Sequence, residues 1–403
     1  MTIATLPRIA SLGDACCGCG ACAAVCACGC VTVAADALGF PHPVVDASAC
    51  AGCGACERAC PAVSPREEVD VAQEALWARA LDAELLDRSS SGGVFGLLAR
   101  EVLSTRGVVA GAAFSDGCRE VRHVVVDCLG DLDTVMRSKY VQSSVDSEVY
   151  GRVRAELRAG RRVLFAGTAC QVAGMRGFLG KLTDNPNLLL VDVICHGVPS
   201  PELWRRWLDW RSRSERMEIN EVNFRSKITG WLSYSVMYKH ITEKDNASRF
   251  SANKFADDWY MKAFLANASL RASCFRCPAK RRCGSDITLG DFWGIQNAHP
   301  EVNCEGGVSA VICNTERGAA ALGEVLPHTE HGSSTYGEVL AGNSALAGSV
   351  EPYAKRDEFL QAIADGEPLD GIIREWTFAP TFARRVRNKL SVIKRHVKMA
   401  LRR

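Results

Sequence analysis

Residues 16–26 read CCGCGACAAVC, and residues 50–61 read CAGCGACERACP. Cys16, Cys19, Cys22 and Cys26 form a C-x2-C-x2-C-x3-C run. Cys50, Cys53, Cys56 and Cys60 repeat it, with Pro61 after the last. This is the spacing of bacterial two-cluster ferredoxins, in which the fourth cysteine of each run serves the other cluster. Three closely spaced thiolates wrap three iron corners, and the fourth corner takes a ligand from across the module. The spacing therefore assigns Cys16, Cys19, Cys22 and Cys60 to one [4Fe-4S] cluster and Cys50, Cys53, Cys56 and Cys26 to the other. Gly18, Gly20, Gly52 and Gly54 let the backbone fold tightly around sulfur and donate N–H bonds to it. Structural zinc, the alternative, usually pairs two C-x2-C knuckles and leaves two complete four-cysteine runs unexplained. One departure stands out: Cys26 is followed by Ala27 rather than Pro, then by Cys28 and Cys30. With Cys17 these read as spare thiols, and a ligand swap at this end stays open.

Outward from the ladder, the chain has 403 residues, 47% apolar and 23% charged, with 48 Lys+Arg against 46 Asp+Glu. That is globular composition with room for two or three domains, which excludes whole-chain disorder and fibrous repeats. Eleven of the 20 cysteines lie in the first 60 residues. No apolar run approaches the ~18 residues of a membrane span, and the first residues lack the apolar segment of a secretory signal. The expected place is the cytoplasm, where thiols stay reduced and serve as ligands rather than disulfides. Arg384–Arg403 holds nine Lys/Arg and no acid, so a chain of net charge +2 has a body of −7. A duplex-DNA binder would be basic in its folded part, so nucleic acid is not an expected partner.

After the acidic connector REEVDVAQEA (66–75), strand-like and helical segments alternate. VVAGAAF, VRHVVVDC, RRVLFAG and NLLLVDVIC have strand length and β-rich composition. SGGVFGLLAREVLSTRG reads as a glycine turn and an amphipathic helix. Further helices are expected around Val172–Leu179 and Pro201–Arg211, the latter with Pro201 in its first turn. This alternation predicts an α/β layer domain with ligands at the carboxyl ends of parallel strands. The loops GTACQ, CHGVPS and SSSGG are the places to look. Neither a Rossmann G-x-G-x-x-G nor a P-loop is present. Downstream, Cys274 and Cys277 in SCFRCPAKRRCG offer half a metal site. Cys170 and Cys195 end buried strands and are candidate partners, with Cys283 the local competitor.

The motifs SSSGGVF, SKYVQS, VLFAGTACQVAG, VICHGVPSP and DITLGDFWG, behind a two-cluster ferredoxin module, resemble the coenzyme F420 hydrogenase/dehydrogenase beta-subunit family. The resemblance runs from about Gly13 to about Thr315. It implies an iron–sulfur flavoprotein oxidoreductase that binds FAD and passes electrons between a hydride carrier, coenzyme F420 in several members, and [4Fe-4S] clusters. A third cluster held by Cys170, Cys195, Cys274 and Cys277 is implied, with Cys283 ranked fifth. Ser91, Gly92, Gly93, Lys139, Tyr140 and Thr168 would line the flavin pocket. The GTACQ loop departs from the family's GTPCQ but keeps the cysteine. His196 and Asp291 tempt as acid–base groups, yet neither is given a catalytic role. The resulting division is an α+β two-[4Fe-4S] ferredoxin-like domain over 1–66, an α/β FAD and iron–sulfur catalytic domain over 67–370, and a basic helical tail over 371–403.

Val386, Leu390, Ile393, Val397 and Leu401 share one helical face of that tail, with Lys and Arg over much of the rest. Such a helix can lie on an anionic membrane surface, dock on an acidic partner, or pack on its own acidic body. The implied partners are a redox protein or subunit and a small-molecule hydride carrier. The competing reading is a non-catalytic electron-relay subunit, or a ferredoxin-fed reductase acting on a sugar or other metabolite beside polysaccharide synthesis.

Overall fold

The computed structural model describes residues 6–68, 74–242 and 244–378. The basic tail beyond residue 378 lies outside them, as does part of the acidic connector. In the cysteine-rich N-terminal region β1 (Val31–Ala35) and β2 (Pro41–Val45) form an antiparallel pair. Then come β3 (Glu74–Ala80), β4 (Val108–Phe114), β5 (Val121–Val126), β6 (Ser143–Ser144), β7 (Val163–Thr168) and β8 (Leu188–Val193). The chain continues through β9 (Met217–Ser226), β10 (Ser235–Thr242) and β11 (Ser248–Lys254), and closes with β12 (Ile287–Asp291), β13 (Ser309–Cys313) and β14 (Thr329–Thr335).

Among the described residues, nine of these strands form one sheet in the order β14-β3-β13-β12-β8-β7-β4-β5-β6. Its centre, β12-β8-β7-β4, is parallel, as the helix–strand alternation implies. The flanking pairs are antiparallel except for the short parallel β5–β6 contact at one edge, so the sheet is mixed rather than uniformly parallel. The reason is local: β4 and β5 are joined by the short turn around Asp116–Cys118, which leaves no room for a crossover helix.

Period-2 alternation sorts the central strands onto two faces. Val109, Leu164, Leu189 and Val191 pack with helix Val94–Ser104 and helix Glu316–Val325 on one side. Val108, Ala110, Val163, Phe165, Leu188 and Leu190 pack with helices Ser147–Arg158 and Ala169–Leu179 on the other. Cys17, Cys19, Ala21 and Ala59 belong to this second layer, so the N-terminal module lies on that face. A third core gathers Trp204, Phe224, Tyr238, Tyr260 and Phe359 between helix Pro201–Glu215 and the antiparallel β9–β11 sheet.

Helix starts follow the expected chemistry. Ser200 accepts the Leu203 N–H at 3.1 Å ahead of Pro201, and Thr168 and Gln171 close a capping box at the start of Ala169–Leu179. No helix among the described residues is long and apolar enough to cross a membrane.

Candidate metal centres and the motif cradle

Cys16, Cys19, Cys22 and Cys60 line one small cavity. Their proximity is felt electrostatically: burial, then Cys60 and Cys16, push the Cys22 thiol up to about 12. Cations face the rim. Arg271 donates from Nε to the Cys16 carbonyl at 2.6 Å and from Nη1 to Gln142 at 3.1 Å. His42 is held protonated up to about 9 by Asp36, 3.2 Å away, and then by Cys16. Gln142 donates to the Cys17 carbonyl at 3.1 Å, and Tyr150 to the Cys19 carbonyl at 2.7 Å. The module is thus fastened to the large sheet by its own backbone carbonyls.

At the module's other end Cys26 lies near Cys56, and Cys30 near Cys50. Cys28 and Cys30, read from sequence as spare, converge on Cys26. The three sulfurs lie 3.4 to 3.7 Å apart.

The third thiol group occupies a larger cavity at the carboxyl ends of β7 and β8, neighbouring parallel strands. Cys170 follows β7, Cys195 follows β8, and Cys274 and Cys277 arrive from the loop ahead of β12. Cys170 sits in the first turn of an eleven-residue helix with its sulfur 3.2 Å from Thr168 Oγ1, and its neighbour Cys17, then burial, push its thiol well up. Cys274 accepts the Val198 N–H at 3.5 Å. Burial, then its sulfur neighbours Cys195, Cys170 and Cys277, push Cys274 up, and burial pushes Cys195 up to about 12. Lys280 donates to the Cys195 carbonyl at 2.7 Å and brings a positive charge to the group. Gly197 lets the two loops meet. Its φ is +145°, and a Cβ there would lie 2.8 Å from Leu270 Cδ1.

Cys283 borders the same cavity but faces a different neighbourhood. Its sulfur donates to Ser285 Oγ at 3.5 Å, and Ser285 and Thr288 donate to the Asp192 carboxylate at 2.7 and 2.6 Å. Burial, then Asp192, push its thiol up, whereas the nearest charges on Cys274 come from other cysteines. Cys283 is thus engaged in a polar network. His196 lines the cavity with Nε2 2.6 Å from Asn267 Oδ1, and burial holds its pKa below the usual range.

Cys17 borders both cavities, with its sulfur against Cys170 on one side and Cys19 on the other. Helix Ala169–Leu179 makes this closeness possible by presenting glycine to the module. A Cβ on Gly177 would lie 2.4 Å from the Ala59 carbonyl oxygen, and one on Gly174 would lie 2.9 Å from Cys19 Sγ.

The motifs expected to bind flavin disperse in an informative way. Gly92 is packed shut: a Cβ there would lie 2.2 Å from the Ala78 carbonyl oxygen, and its N–H donates to Ser309 at 3.0 Å. Ser91 donates to the Val308 carbonyl at 3.0 Å, and Gly93, at φ +87°, starts helix Val94–Ser104. Thr168 caps its helix on the edge of the third thiol cavity. Lys139 is half-buried and donates to the Met136 carbonyl, and desolvation pushes its pKa down to about 7.

Tyr140 leads to a centre the sequence reading missed. Its hydroxyl lies 3.3 Å from Arg225 Nη1. Arg225 donates twice to Asp291 at 2.7 Å and once to the Ser90 carbonyl at 3.4 Å. SSSGG, SKY and GDFWG therefore meet at one guanidinium, which also lies over the rings of Tyr234 and Trp293 at 4.1 and 4.9 Å. A signal existed in NFRSK (223–227), where two cations sit at the end of a strand otherwise patterned for burial.

Residues 160–331 match the family formed by the C terminus of the beta subunits of coenzyme F420 hydrogenase/dehydrogenase, and residues 41–62 match a 4Fe-4S binding domain. No curated protein matches the chain. A chain of the F420-reducing [NiFe] hydrogenase complex from Methanosarcina barkeri is similar at 16% identity over 76% of this chain and 93% of that one. Its TM-score is 0.42, too low to carry a structural argument. The 172-residue match spans Cys170, Cys195, Arg225, Cys274, Cys277 and Asp291, and the shorter match spans Cys50 to Cys60. Residues 160–331 are thus similar to the C-terminal domain of the coenzyme F420 hydrogenase/dehydrogenase beta subunits, downstream of a segment similar to a 4Fe-4S binding domain.

Proposed function

We propose that this chain is an iron–sulfur flavoprotein oxidoreductase that moves electrons between a two-electron hydride carrier, with coenzyme F420 the first candidate, and one-electron acceptors. The observation that carries the reading is the pair of thiol-lined cavities meeting at Cys17, with a third cysteine group at the far end of the module. The donor sets fit [4Fe-4S] clusters. Each of two cavities is lined by at least four thiols, and cationic side chains would offset the charge a thiolate-bound cluster carries. Cys16, Cys19, Cys22 and Cys60 would hold one cluster, Cys50, Cys53, Cys56 and Cys26 the second, and Cys170, Cys195, Cys274 and Cys277 the third.

For FAD the fit rests on the motif cradle. Arg225 Nε is buried without a hydrogen-bond partner among the described residues, and Arg137, Lys139 and Lys227 stand nearby. That excess of positive charge suits a phosphate-bearing cofactor. Lys139, Tyr140 and Arg225 would face its polar edge, while Ser91, Gly92 and Gly93 hold the wall behind them. When bound, the flavin supplies conversion between hydride and single electrons, and the clusters supply one-electron storage.

The chain's own residues do the placing. Glycines at 174 and 177 set the approach of module to sheet, Cys17 fills the gap between the two cavities, and Lys280 tunes the third thiol group. Burial raises the pKa of Asp192, the carboxyl that accepts from Ser285 and Thr288 beside the third cavity. A partner protein or subunit would exchange electrons at the module's exposed end, where Cys53 reaches the surface. Anaerobic purification with iron, sulfide and flavin analysis, followed by turnover with reduced deazaflavin, tests the reading. Clusters without flavin or turnover would reduce the chain to an electron relay.

A further inference from the structure

The loop after Cys26 turns back on itself. Gly29 takes φ +65°, a left-handed value that an L side chain adopts only with strain, and donates its N–H to the Cys26 carbonyl at 3.2 Å. The turn delivers Cys30 to the start of β1, where its carbonyl accepts the Asp46 N–H at 2.8 Å. The Cys26–Cys28, Cys26–Cys30 and Cys28–Cys30 sulfur separations are 3.7, 3.4 and 3.5 Å. All three sulfurs face the other ligand run: Cys26 lies near Cys56, Cys28 near the Ala51 N–H, and Cys30 near Cys50.

Sulfurs this close cannot occupy separate iron corners of one cube, because those corners point away from one another. They compete for a single corner. From this we infer that Cys28 and Cys30 are reserve ligands for the second cluster, each able to replace Cys26 at its fourth iron. The inference rests on the proposed placement of a [4Fe-4S] cluster at Cys50, Cys53 and Cys56. In the exchange one iron–sulfur bond to Cys26 breaks and one to Cys28 or Cys30 forms. The incoming thiol gives up its proton and the departing thiolate takes one, so no oxidant or reductant is consumed. A module with one cysteine at this position loses the cluster when that ligand is oxidised or displaced, whereas this one has two replacements whose sulfurs lie 3.7 and 3.4 Å away.

The test uses full-length chains purified anaerobically, with iron and labile sulfide counted and the reduced clusters read by EPR. Cys26→Ala should keep about the wild-type iron content, with an altered EPR signal from the second cluster alone. Cys28→Ala with Cys30→Ala should also keep it. The triple alanine variant should lose about four irons per chain, as Cys50→Ala should, because Cys50 has no substitute. The third centre, in the same chain, reports through its unchanged signal that each variant is folded. Loss of four irons from Cys26→Ala alone overturns the inference. A single zinc on Cys26, Cys28 and Cys30 in the wild-type chain also overturns it. Zinc draws its thiolates about 3.8 Å apart, given bonds of about 2.3 Å. That second result would show in the unmutated protein, so failure of the cluster assignment is distinguishable from failure of ligand exchange.

Discussion

Replacing Asp291 with Ala removes the carboxylate that holds Arg225. The guanidinium is 3% exposed and loses two bonds of 2.7 Å, while Trp231 Nε1 loses its acceptor at 2.8 Å. The bonds remaining to Tyr140 and Ser90 are longer, at 3.3 and 3.4 Å, and neither partner carries a charge. Breaking a buried pair from one side typically costs about 3–5 kcal/mol, chiefly by stranding the other charge. At about 2–4 °C per kcal/mol for domains of 150–250 residues, thermal unfolding should fall by about 6–20 °C, toward the lower end for a chain of this length. Calorimetry of the full chain under anaerobic conditions checks this. The double variant Arg225→Met with Asp291→Leu strands no charge and should unfold above Asp291→Ala. A melting temperature within about 2 °C of wild type for Asp291→Ala, or a double variant worse than either single, refutes the argument. Flavin content in the same preparations reports whether the cradle binds cofactor.

Cys170→Ser and Cys195→Ser should each lose about four irons while Cys283→Ser keeps them, since serine oxygen is a poor replacement for a thiolate on iron; retention in Cys195→Ser with loss in Cys283→Ser reverses the ligand list. Gly177→Ala should leave iron content near wild type but slow electron transfer between the first and third centres, because its Cβ would lie 2.4 Å from the Ala59 carbonyl oxygen and force the module outward; flash reduction with freeze-quench EPR measures the rate, and an unchanged rate counts against the docking. His123, whose pKa burial pushes down to about 4, has Nε2 3.0 Å from the Ala166 carbonyl oxygen. Because the folded pKa lies below the unfolded ~6.5, the contribution of neutral His123 is complete above that value and shrinks as pH falls toward 4, by about 1.4 kcal/mol per pH unit. Unfolding midpoints between pH 7 and 5.5 should therefore fall faster for wild type than for His123→Phe, and parallel slopes contradict this.

The cysteines proposed as metal ligands stand out in the sequence because a cubane dictates spacing along the chain. C-x2-C-x2-C-x3-C is the path of a backbone around three corners, and it survives without any knowledge of the fold. The central strands were legible for a related reason: Val163–Phe165 and Leu188–Val191 are buried on both faces and read as unbroken apolar runs. The antiparallel flanks were not, since β3 and β13 pair residues more than 230 positions apart and nothing local announces it. Arg225 was missed because an arginine in a strand looks like an exposed position until Asp291 and Trp293 arrive from the end of β12, a strand of the other sheet. Cys28 and Cys30 are visible in the sequence but read there as spare, because only the left-handed turn at Gly29 reveals that they fold back onto Cys26. The glycines of SSSGG were visible as glycines, yet the same letters suit a cofactor cradle and tight packing against Ala78, and the distance to that carbonyl separates the two at Gly92.

The central claim is that three separate cysteine groups each hold an iron–sulfur cluster. Iron, labile sulfide and zinc should be counted together on the anaerobically purified, full-length chain. The account predicts about twelve irons and about twelve sulfides per chain, with zinc well below stoichiometric. Near eight irons would leave the N-terminal module loaded and contradict the centre at Cys170, Cys195, Cys274 and Cys277, and stoichiometric zinc would contradict the cluster assignment itself.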